Sequence, residues 1–455
     1  MSEESYSEEK ALELLKQLEN ILECDTLIDE VGFIHPTQFV TLNEEESGSL
    51  VSSISGEPQS EVGILSSGAS DVGAPKYEKM IFWNKDHKLG ISTQSLLPLY
   101  KAAKHAFMSA IRQYEMLSNI SVKNDIFMDE DVPCSLTSAS SILEIEVMKH
   151  SKALLLLSCD FGTAWNSRKL VVSKKQHVSI LMDELLLSAL VLSYSPKSDH
   201  AWSHRRWVIK MIAGKCSNLQ DIVGKESELV EKIAEKSRMN YRAWNHRCWL
   251  VSYMTGEQVL YELKKSRNWA GLHIADNCCF HYRRRLLLRI LKDFCYTQDP
   301  NASFGCTIEV YQVWKEELDW NEMLIKRYIG REALWLHRRF LSLYWVKHFA
   351  TNLHGVSCHS ENKTGINHDL DIFMDNELQL LHSCSRIPDN IFEDVQAQAM
   401  FSATYILWLT KQISDSQWFE LKEKLTAVDL KTLLNVACPE KNFLWDSLMG
   451  LHGSI

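Results

Sequence analysis

Long uncharged apolar runs are missing from this 455-residue sequence. The most apolar stretch, LMDELLLSALVL, is interrupted by Asp183 and Glu184, whereas a membrane-spanning helix needs about 20 predominantly apolar residues. The first residues, MSEESYSEEK, are acidic and contain no apolar core, and the last, LHGSI, contain no cysteine for lipidation. We therefore expect no secretory signal, no integral membrane segment and a cytoplasmic location.

Positive charge is also scarce, since 59 acidic residues against 49 lysines and arginines leave a net charge of −10. Nucleic-acid binding depends on a positive field, so we expect no nucleic-acid partner, and RNA binding by stacked aromatics is the least favoured function. The twelve cysteines form no Cys-x-x-Cys pair and are interpreted as reduced thiols. His354, Cys358 and His368 do not have the spacing of zinc ligands, so residues 349–369 are predicted to be a polar loop.

Glycine and proline are few, with 18 and 9 residues, and no alternating strand pattern is visible. Helical periodicity occurs over residues 6–23 and 94–117 and again from about residue 138 onward. These patterns predict an all-α chain. We expect an N-terminal helix and lead-in (1–41), a disordered acidic Ser/Gly-rich insert (42–78), a helical lead-in (79–137) and a C-terminal helical region (370–455) with room for one degenerate repeat.

Between residues 138 and 348 one pattern recurs five times, an aromatic residue followed three positions later by an arginine. Residues three apart share one face of a helix. The five copies are Trp165/Arg168, Trp202/Arg205, Trp244/Arg247, Phe280/Arg283 and Trp335/Arg338. Successive aromatics are 37, 42, 36 and 55 residues apart, and the turn-forming stretch TQDPNASFGC accounts for the long last interval.

A glutamate precedes each aromatic by 18 residues, or by 19 in the first copy. In chain order these acids are Glu146, Glu184, Glu226, Glu262 and Glu317. An apolar helical stretch and a turn separate acid from aromatic, most clearly in SYSPKSDH. Each copy therefore predicts a helix, a tight turn and a second helix, and the whole series predicts a crescent-shaped α-α superhelix (solenoid) of five stacked helical hairpins.

The arginine of each copy is expected on the apolar stripe of its helix. A buried guanidinium without a partner is strongly unfavourable, so we predict ion pairs between these arginines and the in-register glutamates, either within a repeat or between neighbouring repeats. Because the aromatics, arginines and acids recur in step, they are interpreted as structural residues that define the repeat. They are not interpreted as catalytic residues.

The unit Glu…Asn-Tyr-x-x-Trp-x-His-Arg resembles the repeat of protein prenyltransferase α subunits, those of farnesyl- and geranylgeranyltransferases. NYRAWNHRCW, residues 240–249, matches that pattern almost residue for residue, and SPKSDHAWSHRRW matches it with Ser-Asp in place of Asn-Tyr. The resemblance covers roughly residues 138–346. The long N-terminal extension, acidic insert and degenerate outer repeats are most similar to the diverged, repeat-containing branch of the family, whose members pair with the β subunit of Rab geranylgeranyltransferase.

This resemblance implies that the chain is the α, non-zinc subunit of a heterodimeric protein geranylgeranyltransferase and is inactive alone. It implies that the β partner holds the zinc that activates the acceptor thiolate, that geranylgeranyl diphosphate is the co-substrate, and that this chain binds no cofactor of its own. The acceptor would be a cysteine-bearing protein, with a SNARE as one candidate. The alternative is a non-enzymatic helical-repeat scaffold for protein–protein interaction.

The resemblance also implies a rim near the isoprenoid diphosphate. Asn240 and Tyr241 occupy the Asn-Tyr of the family pattern, and Arg238 lies two positions before Asn240. The lysine that typically precedes this asparagine in the family is Met239 here. Arg238 or Arg242 would then supply the cation, because guanidinium groups bind phosphate oxygens well. No catalytic residue and no metal ligand is assigned to this chain.

Overall fold

A computed structural model describes residues 3–39, 81–125, 134–175, 177–296, 303–349, 365–384, 393–412, 432, 435 and 439–448. The predicted disordered insert (42–78) lies outside the described residues, as does most of the predicted polar loop (349–369). The chain forms two compact units, one of Met1–Leu219 and Glu231–Ala243 and the other of Gln220–Val230 and Trp244–Ile455. Helices dominate both units, so the all-α prediction is confirmed.

The first unit begins with one helix, a small sheet and a series of paired helices. Its helices are α1 (Glu3–Cys24), α2 (Leu96–Asp125), α3 (Cys134–Leu157), α4 (Gly162–Lys175), α5 (Val178–Tyr194) and α6 (Asp199–Ala213). Helix α3 packs against α4, and α5 packs against α6. The turn between the members of each pair is four residues long. These two pairs are the first and second hairpins of the repeat.

A three-stranded sheet is the feature that the sequence pattern missed, and it corrects the prediction of a purely helical lead-in. Strand β3 (Lys88–Ser92) lies between β1 (Glu30–Ile34), to which it is parallel, and β2 (Phe82–Lys85), to which it is antiparallel. Asp86 and His87 both have positive φ, as a two-residue turn between antiparallel strands requires. The backbone N–H of Val31 donates to Ser193 Oγ on α5 at 3.3 Å, which attaches β1 to the second hairpin.

Helices α7 (Leu219–Lys236) and α8 (Tyr241–Leu250) form the third hairpin and contribute residues to both units. The second unit continues with α9 (Gly256–Leu272), α10 (Asn277–Tyr296), α11 (Ser303–Arg327), α12 (Glu332–His348), α13 (Gly365–Cys384), α14 (Glu393–Thr410) and α15 (Asn442–Leu448). Helix α9 packs against α10, α11 against α12, and α13 against α14. The first two of these pairs are the fourth and fifth hairpins, and α13–α14 is a further pair.

The second helices begin where polar side chains can cap them. Ser198 Oγ accepts from the backbone N–H of Ala201 at the start of α6, and Asn240 Oδ1 accepts from that of Ala243 at 3.1 Å at the start of α8. Such side chains replace hydrogen bonds that the first turn of a helix cannot make with itself. Within the described part of the chain, no helix has the length and apolarity to cross a membrane.

Candidate functional site

The five repeat arginines are buried, and Arg168, Arg247, Arg283 and Arg338 each contact a glutamate of the helix pair that follows. Arg168 donates to both carboxylate oxygens of Glu184 at 3.0 and 2.5 Å. The same bidentate geometry joins Arg283 to Glu317, at 2.8 and 2.5 Å. Arg247 Nη2 donates to Glu262 at 2.8 Å. The arginines therefore connect neighbouring hairpins.

The fourth such contact reaches a residue that the sequence reasoning did not identify. Arg338 donates to both carboxylate oxygens of Glu377 on α13, at 3.1 and 2.5 Å. Tyr405 on α14 donates to the same carboxylate at 2.7 Å. The α13–α14 pair thus supplies the acid that the fifth hairpin needs, and it takes the place of a sixth repeat.

Arg205, like the other repeat arginines, donates hydrogen bonds to the first helix of its own hairpin. Its Nη1 donates to the carbonyl oxygen of Leu185 at 2.6 Å and to Ser188 Oγ at 3.0 Å. Arg283 makes the equivalent bonds to Leu263 and Ser266 at 2.5 and 2.8 Å. In both cases the accepting residues lie one and four positions after the glutamate of the hairpin, so the arginine position is fixed relative to the first helix.

This spacing corrects the acid assigned to the first hairpin. Arg168 bonds to the carbonyl oxygen of Met148 and to Ser151 Oγ, which places the acid position at residue 147. That residue is Val147, which is fully buried, whereas Glu146 is exposed to solvent. Glu146 is therefore wrong as the repeat acid. A one-residue offset turns a side chain by about 100° around a helix, which moves it from the core to the surface.

In the second to fifth hairpins, a histidine or tyrosine of the same hairpin donates a further hydrogen bond to the buried glutamate. It lies two residues after the aromatic and 20 after the glutamate. The pairs are His204–Glu184 at 2.8 Å, His246–Glu226 at 3.0 Å, Tyr282–Glu262 at 2.7 Å and His337–Glu317 at 2.9 Å. In the first hairpin, where Val147 replaces the acid, this position is Ser167. The first hairpin thus lacks both the acid and the histidine or tyrosine that donates to it in the other four.

Burial and neighbouring charges shift pKa values in the network so that Glu184 stays ionised while His337 and Tyr282 stay neutral. Burial alone raises the pKa of Glu184, but the Arg168 charge and the hydrogen bond from His204 outweigh it and lower the pKa to about 2. Burial lowers the pKa of His337 to about 4, against the opposing influence of Glu317. Burial raises the pKa of Tyr282 well above its usual range, so its hydroxyl remains a donor to Glu262.

The five repeat aromatics are buried, and two of them bond to a turn carbonyl. Trp165 Nε1 donates to Cys159 O at 2.8 Å, and Trp202 Nε1 donates to Pro196 O at 3.0 Å. Each indole thereby holds the turn of its own hairpin. Aromatics, arginines, histidines and glutamates together form a buried structural network, and none of them is available to a substrate.

The three rim residues lie at the start of α8, with Arg238 and Asn240 in the turn before it and Tyr241 as its first residue. Tyr241 is 66% exposed and Arg238 is also exposed. Asn240 is different, because its side chain is fully buried: Oδ1 caps α8 and Nδ2 donates to Pro196 O at 2.8 Å. Asn240 therefore cannot contact a diphosphate directly, and its role is to hold the turn that presents Tyr241. This corrects its assignment to the rim.

Two neighbours shape the same turn. Met239 is 69% exposed and has a left-handed φ of 53°. Arg242 forms an ion pair with Asp199 at the start of α6, so its guanidinium is already engaged. Among the described residues, no three His, Cys, Asp or Glu side chains converge to hold a metal ion.

Part of this network lies in two segments that match a known sequence repeat. The sequence model of the protein prenyltransferase alpha subunit repeat matches residues 181–212 and 224–254, which contain most of the second hairpin and most of the third. Two segments of the chain therefore match the protein prenyltransferase alpha subunit repeat. The resemblance that rests on NYRAWNHRCW and SPKSDHAWSHRRW is thereby confirmed.

Curated relatives carry the same repeat in their names. Protein prenyltransferase alpha subunit repeat-containing protein 1 of Danio rerio is 30% identical over 277 residues, which cover 52% of this chain and 63% of that protein. The Homo sapiens protein of the same name is 28% identical over 244 residues (45% and 60%), and the 1-A protein of Xenopus laevis is 29% identical over 234 residues (43% and 54%). The chain thus spans less than two thirds of the length of these relatives.

Proposed function

We propose that this chain is the α, non-zinc subunit of a heterodimeric protein geranylgeranyltransferase, and that it acts with a zinc-bearing β subunit of the Rab geranylgeranyltransferase type. One observation carries the proposal. The turn before α8, within the best match to the family pattern, presents Tyr241 at 66% exposure while the buried Asn240 fixes the turn in place. An exposed aromatic held by a rigid turn is suited to line the edge of a partner's active site.

In the proposed reaction, a cysteine thiolate of the acceptor protein attacks the first carbon of geranylgeranyl diphosphate. The new bond is a thioether, and inorganic diphosphate leaves with the electron pair of the broken carbon–oxygen bond. Zinc on the β subunit would keep the acceptor sulfur as thiolate. On this chain, Tyr241 would bound the site, and the exposed Arg238 would attract the departing diphosphate. The acceptor, a SNARE among the candidates, is part of the proposal.

The test is reconstitution. We expect the chain alone to transfer no labelled geranylgeranyl group to a cysteine-bearing acceptor, and the chain purified with a prenyltransferase β subunit to do so. Tyr241→Ala should lower kcat/KM of that complex by about tenfold, equivalent to about 1.4 kcal/mol. Tyr261→Ala is the matched control, because Tyr261 on α9 is 63% exposed and should leave the rate unchanged.

The alternative function is a non-enzymatic scaffold. It is favoured by Met239, which is highly exposed and uncharged at the position where the family typically has a lysine. In the enzyme, Met239→Lys should lower KM for the isoprenoid diphosphate, since it adds a cation at the rim. A stable complex without transfer, unchanged by Met239→Lys, would support the scaffold and reject the enzyme.

A further inference from the structure

In each second helix of the fourth and fifth hairpins, the buried repeat arginine is followed directly by a second arginine with different surroundings. Arg283 and Arg338 are buried and paired with Glu317 and Glu377. The next residues, Arg284 and Arg339, are half-buried and, among the described residues, form no ion pair or hydrogen bond. Arg284 Nε and Nη2 and Arg339 Nε are buried atoms without a partner. The first arginine of each helix therefore has a carboxylate as ion-pair partner, and the second has none among the described residues.

The uncompensated guanidinium groups lie against aromatic rings of the next second helix. Arg284 Cζ is 5.9 Å from the centroid of the Phe340 ring on α12, and Arg339 Cζ is 5.8 Å from that of Trp408 on α14. Helix α10 packs against α12, and α12 against α14. Phe340 and Trp408 are half-buried, as is Tyr344, whose ring is 4.9 Å from that of Phe340. We call Arg284, Arg339, Phe340, Tyr344 and Trp408 the arginine–aromatic face.

Among the described residues, neither Arg284 nor Arg339 is in ion-pair contact with a carboxylate, although the exposed Glu332 is near enough to Arg339 to oppose the lowering of its pKa. Burial lowers the pKa of Arg284 to about 10, and also lowers the pKa of Arg339. His281 on α10 is close enough to Arg284 and Arg285 for their charges to lower its pKa further. A partly desolvated cation without an ion-pair partner is unfavourable in the free chain. The chain has more acidic than basic residues, with a net charge of −10, yet none of its described acids is paired with these two arginines.

The composition of the face identifies the kind of partner. Arginine and large aromatic residues are the side chains enriched at the centres of protein interfaces. A small anion would satisfy the guanidinium groups but would leave the rings of Tyr344 and Trp408 uncovered. An acidic protein segment would pair with the guanidinium groups and would also cover the rings.

We propose that the arginine–aromatic face of the second unit docks an acidic segment of a partner protein, whose carboxylates pair with Arg284 and Arg339 while its apolar side chains cover the rings. Neighbouring helices are about 8–10 Å apart, so the two guanidinium groups fit carboxylates about 10 Å apart, which is the separation of residues seven apart on a helix. This inference does not depend on the proposed function, since Tyr241 and Arg238 take no part in it.

The test uses the 455-residue chain and a fluorescent helical peptide with glutamates seven residues apart, compared with the same peptide carrying glutamines. We expect the glutamate peptide to bind at least about tenfold more tightly by fluorescence anisotropy, and the advantage to shrink between about 50 and 300 mM salt. The Arg284→Gln/Arg339→Gln double variant should lose at least about tenfold of that affinity.

The matched control is Lys264→Gln/Lys315→Gln, which removes the same charge from exposed positions on the first helices of the same two hairpins. It should bind the peptide as the wild-type chain does. Equal losses in both double variants would mean non-specific charge attraction and would overturn the proposal. Displacement of the peptide by inorganic phosphate at similar concentration would also overturn it, because the face would then be a small-anion site.

Thermal melting separates docking from a structural role. We expect the Arg284→Gln/Arg339→Gln variant to melt no lower than the wild-type chain, because it removes uncompensated, partly buried charges. The glutamate peptide should raise the Tm of the wild-type chain and not that of the variant. A variant that melts well below the wild-type chain would show that these guanidinium groups hold the fold, and the docking proposal would fail.

Discussion

The buried carboxylates of Glu184, Glu262 and Glu317 accept hydrogen bonds from two sides, one from an arginine of the preceding hairpin and one from a histidine or tyrosine of their own hairpin. Glu317 shows the arrangement in full, with Arg283 at 2.8 and 2.5 Å and His337 at 2.9 Å. Burial of a single charge is strongly unfavourable, whereas a pair with its remaining lone pairs satisfied can be accommodated. Arginine suits this role because its planar group binds both carboxylate oxygens at once.

The neutral histidine makes stability depend on pH. The pKa of His337 is about 4 in the folded chain, against an ordinary value of 6.5. Between these values the unfolded chain binds a proton and the folded chain does not, so stability is fully present above pH 6.5 and is lost as the pH falls toward 4. Below about 4.5, Glu184 adds to the loss, since its folded-state pKa is about 2. Acidification therefore destabilises the chain.

We expect His337→Gln to remove the part of this dependence that lies between pH 6.5 and 4, because glutamine can still donate to Glu317 but does not titrate. The difference from wild type should reach on the order of 3 kcal/mol at most. Urea midpoints measured from pH 7 to pH 4 provide the check, with His200→Gln, an exposed histidine on α6, as the control. Parallel curves for His337→Gln and wild type would contradict a neutral, buried His337.

At the scale of elements, the turns decide how the second helix is presented. Two second helices follow a residue with left-handed φ five positions before the tryptophan: Met239, with φ 53°, and Gly330, with φ 72°. A side chain at Gly330 would also lie 2.8 Å from the backbone oxygen of Asp394, so only glycine fits that turn. The side chain of Met239 is largely exposed instead.

Met239→Gly should therefore stabilise the chain by about 1 kcal/mol, because a left-handed conformation costs a side-chain-bearing residue about 1–2 kcal/mol and glycine very little. Lys197, the residue five positions before Trp202, is not among the described residues with positive φ. Lys197→Gly should instead destabilise by about 0.5–1 kcal/mol through the entropy of the unfolded chain. Thermal melting of both variants tests the contrast, and a loss of stability in Met239→Gly would refute it.

At the scale of the whole molecule, stability comes from contacts between successive hairpins. Arg338 depends on Glu377 of the next helix pair, and Trp335 Nε1 donates to Gln398 of α14 at 3.2 Å. In a repeat array each unit is stabilised mainly by its immediate neighbours. A defect at one junction is therefore expected to open the adjacent hairpins first, and not the whole chain at once.

Glu377→Gln removes the bidentate partner of the buried Arg338 and leaves it with the more distant Glu322, at 3.6 Å, which costs about 3 kcal/mol. We expect amide hydrogen exchange in α12, α13 and α14 to accelerate by roughly 100-fold or more, while α3–α6 exchange at the wild-type rate. The exposed Glu393 on α14 provides the control variant Glu393→Gln. Equal acceleration in α3–α6 would mean that the chain opens as one cooperative unit.

Much of the repeat was predictable because its period is long and its residue types are unusual for a helix core. Aromatic-x-x-Arg in step with a glutamate indicates hairpins stacked on one another, and the histidines at 204, 246 and 337 form a third periodic signal that is visible in the sequence. The sheet was not predictable in the same way. Its strands are four or five residues long, β3 is buried at four successive positions, and β1 pairs with β3 across a long separation in sequence.

The sequence by itself determined the helical class, the phase of the second helices and the need of the buried arginines for acids, because periodicity and the cost of burying charge are local properties. Only the tertiary structure decided which acid each arginine reaches. It also decided that Val147 and not Glu146 faces the core, that Glu377 completes the series and that Asn240 is a cap, because these outcomes depend on one-residue differences in helix rotation and on contacts between residues far apart in the chain.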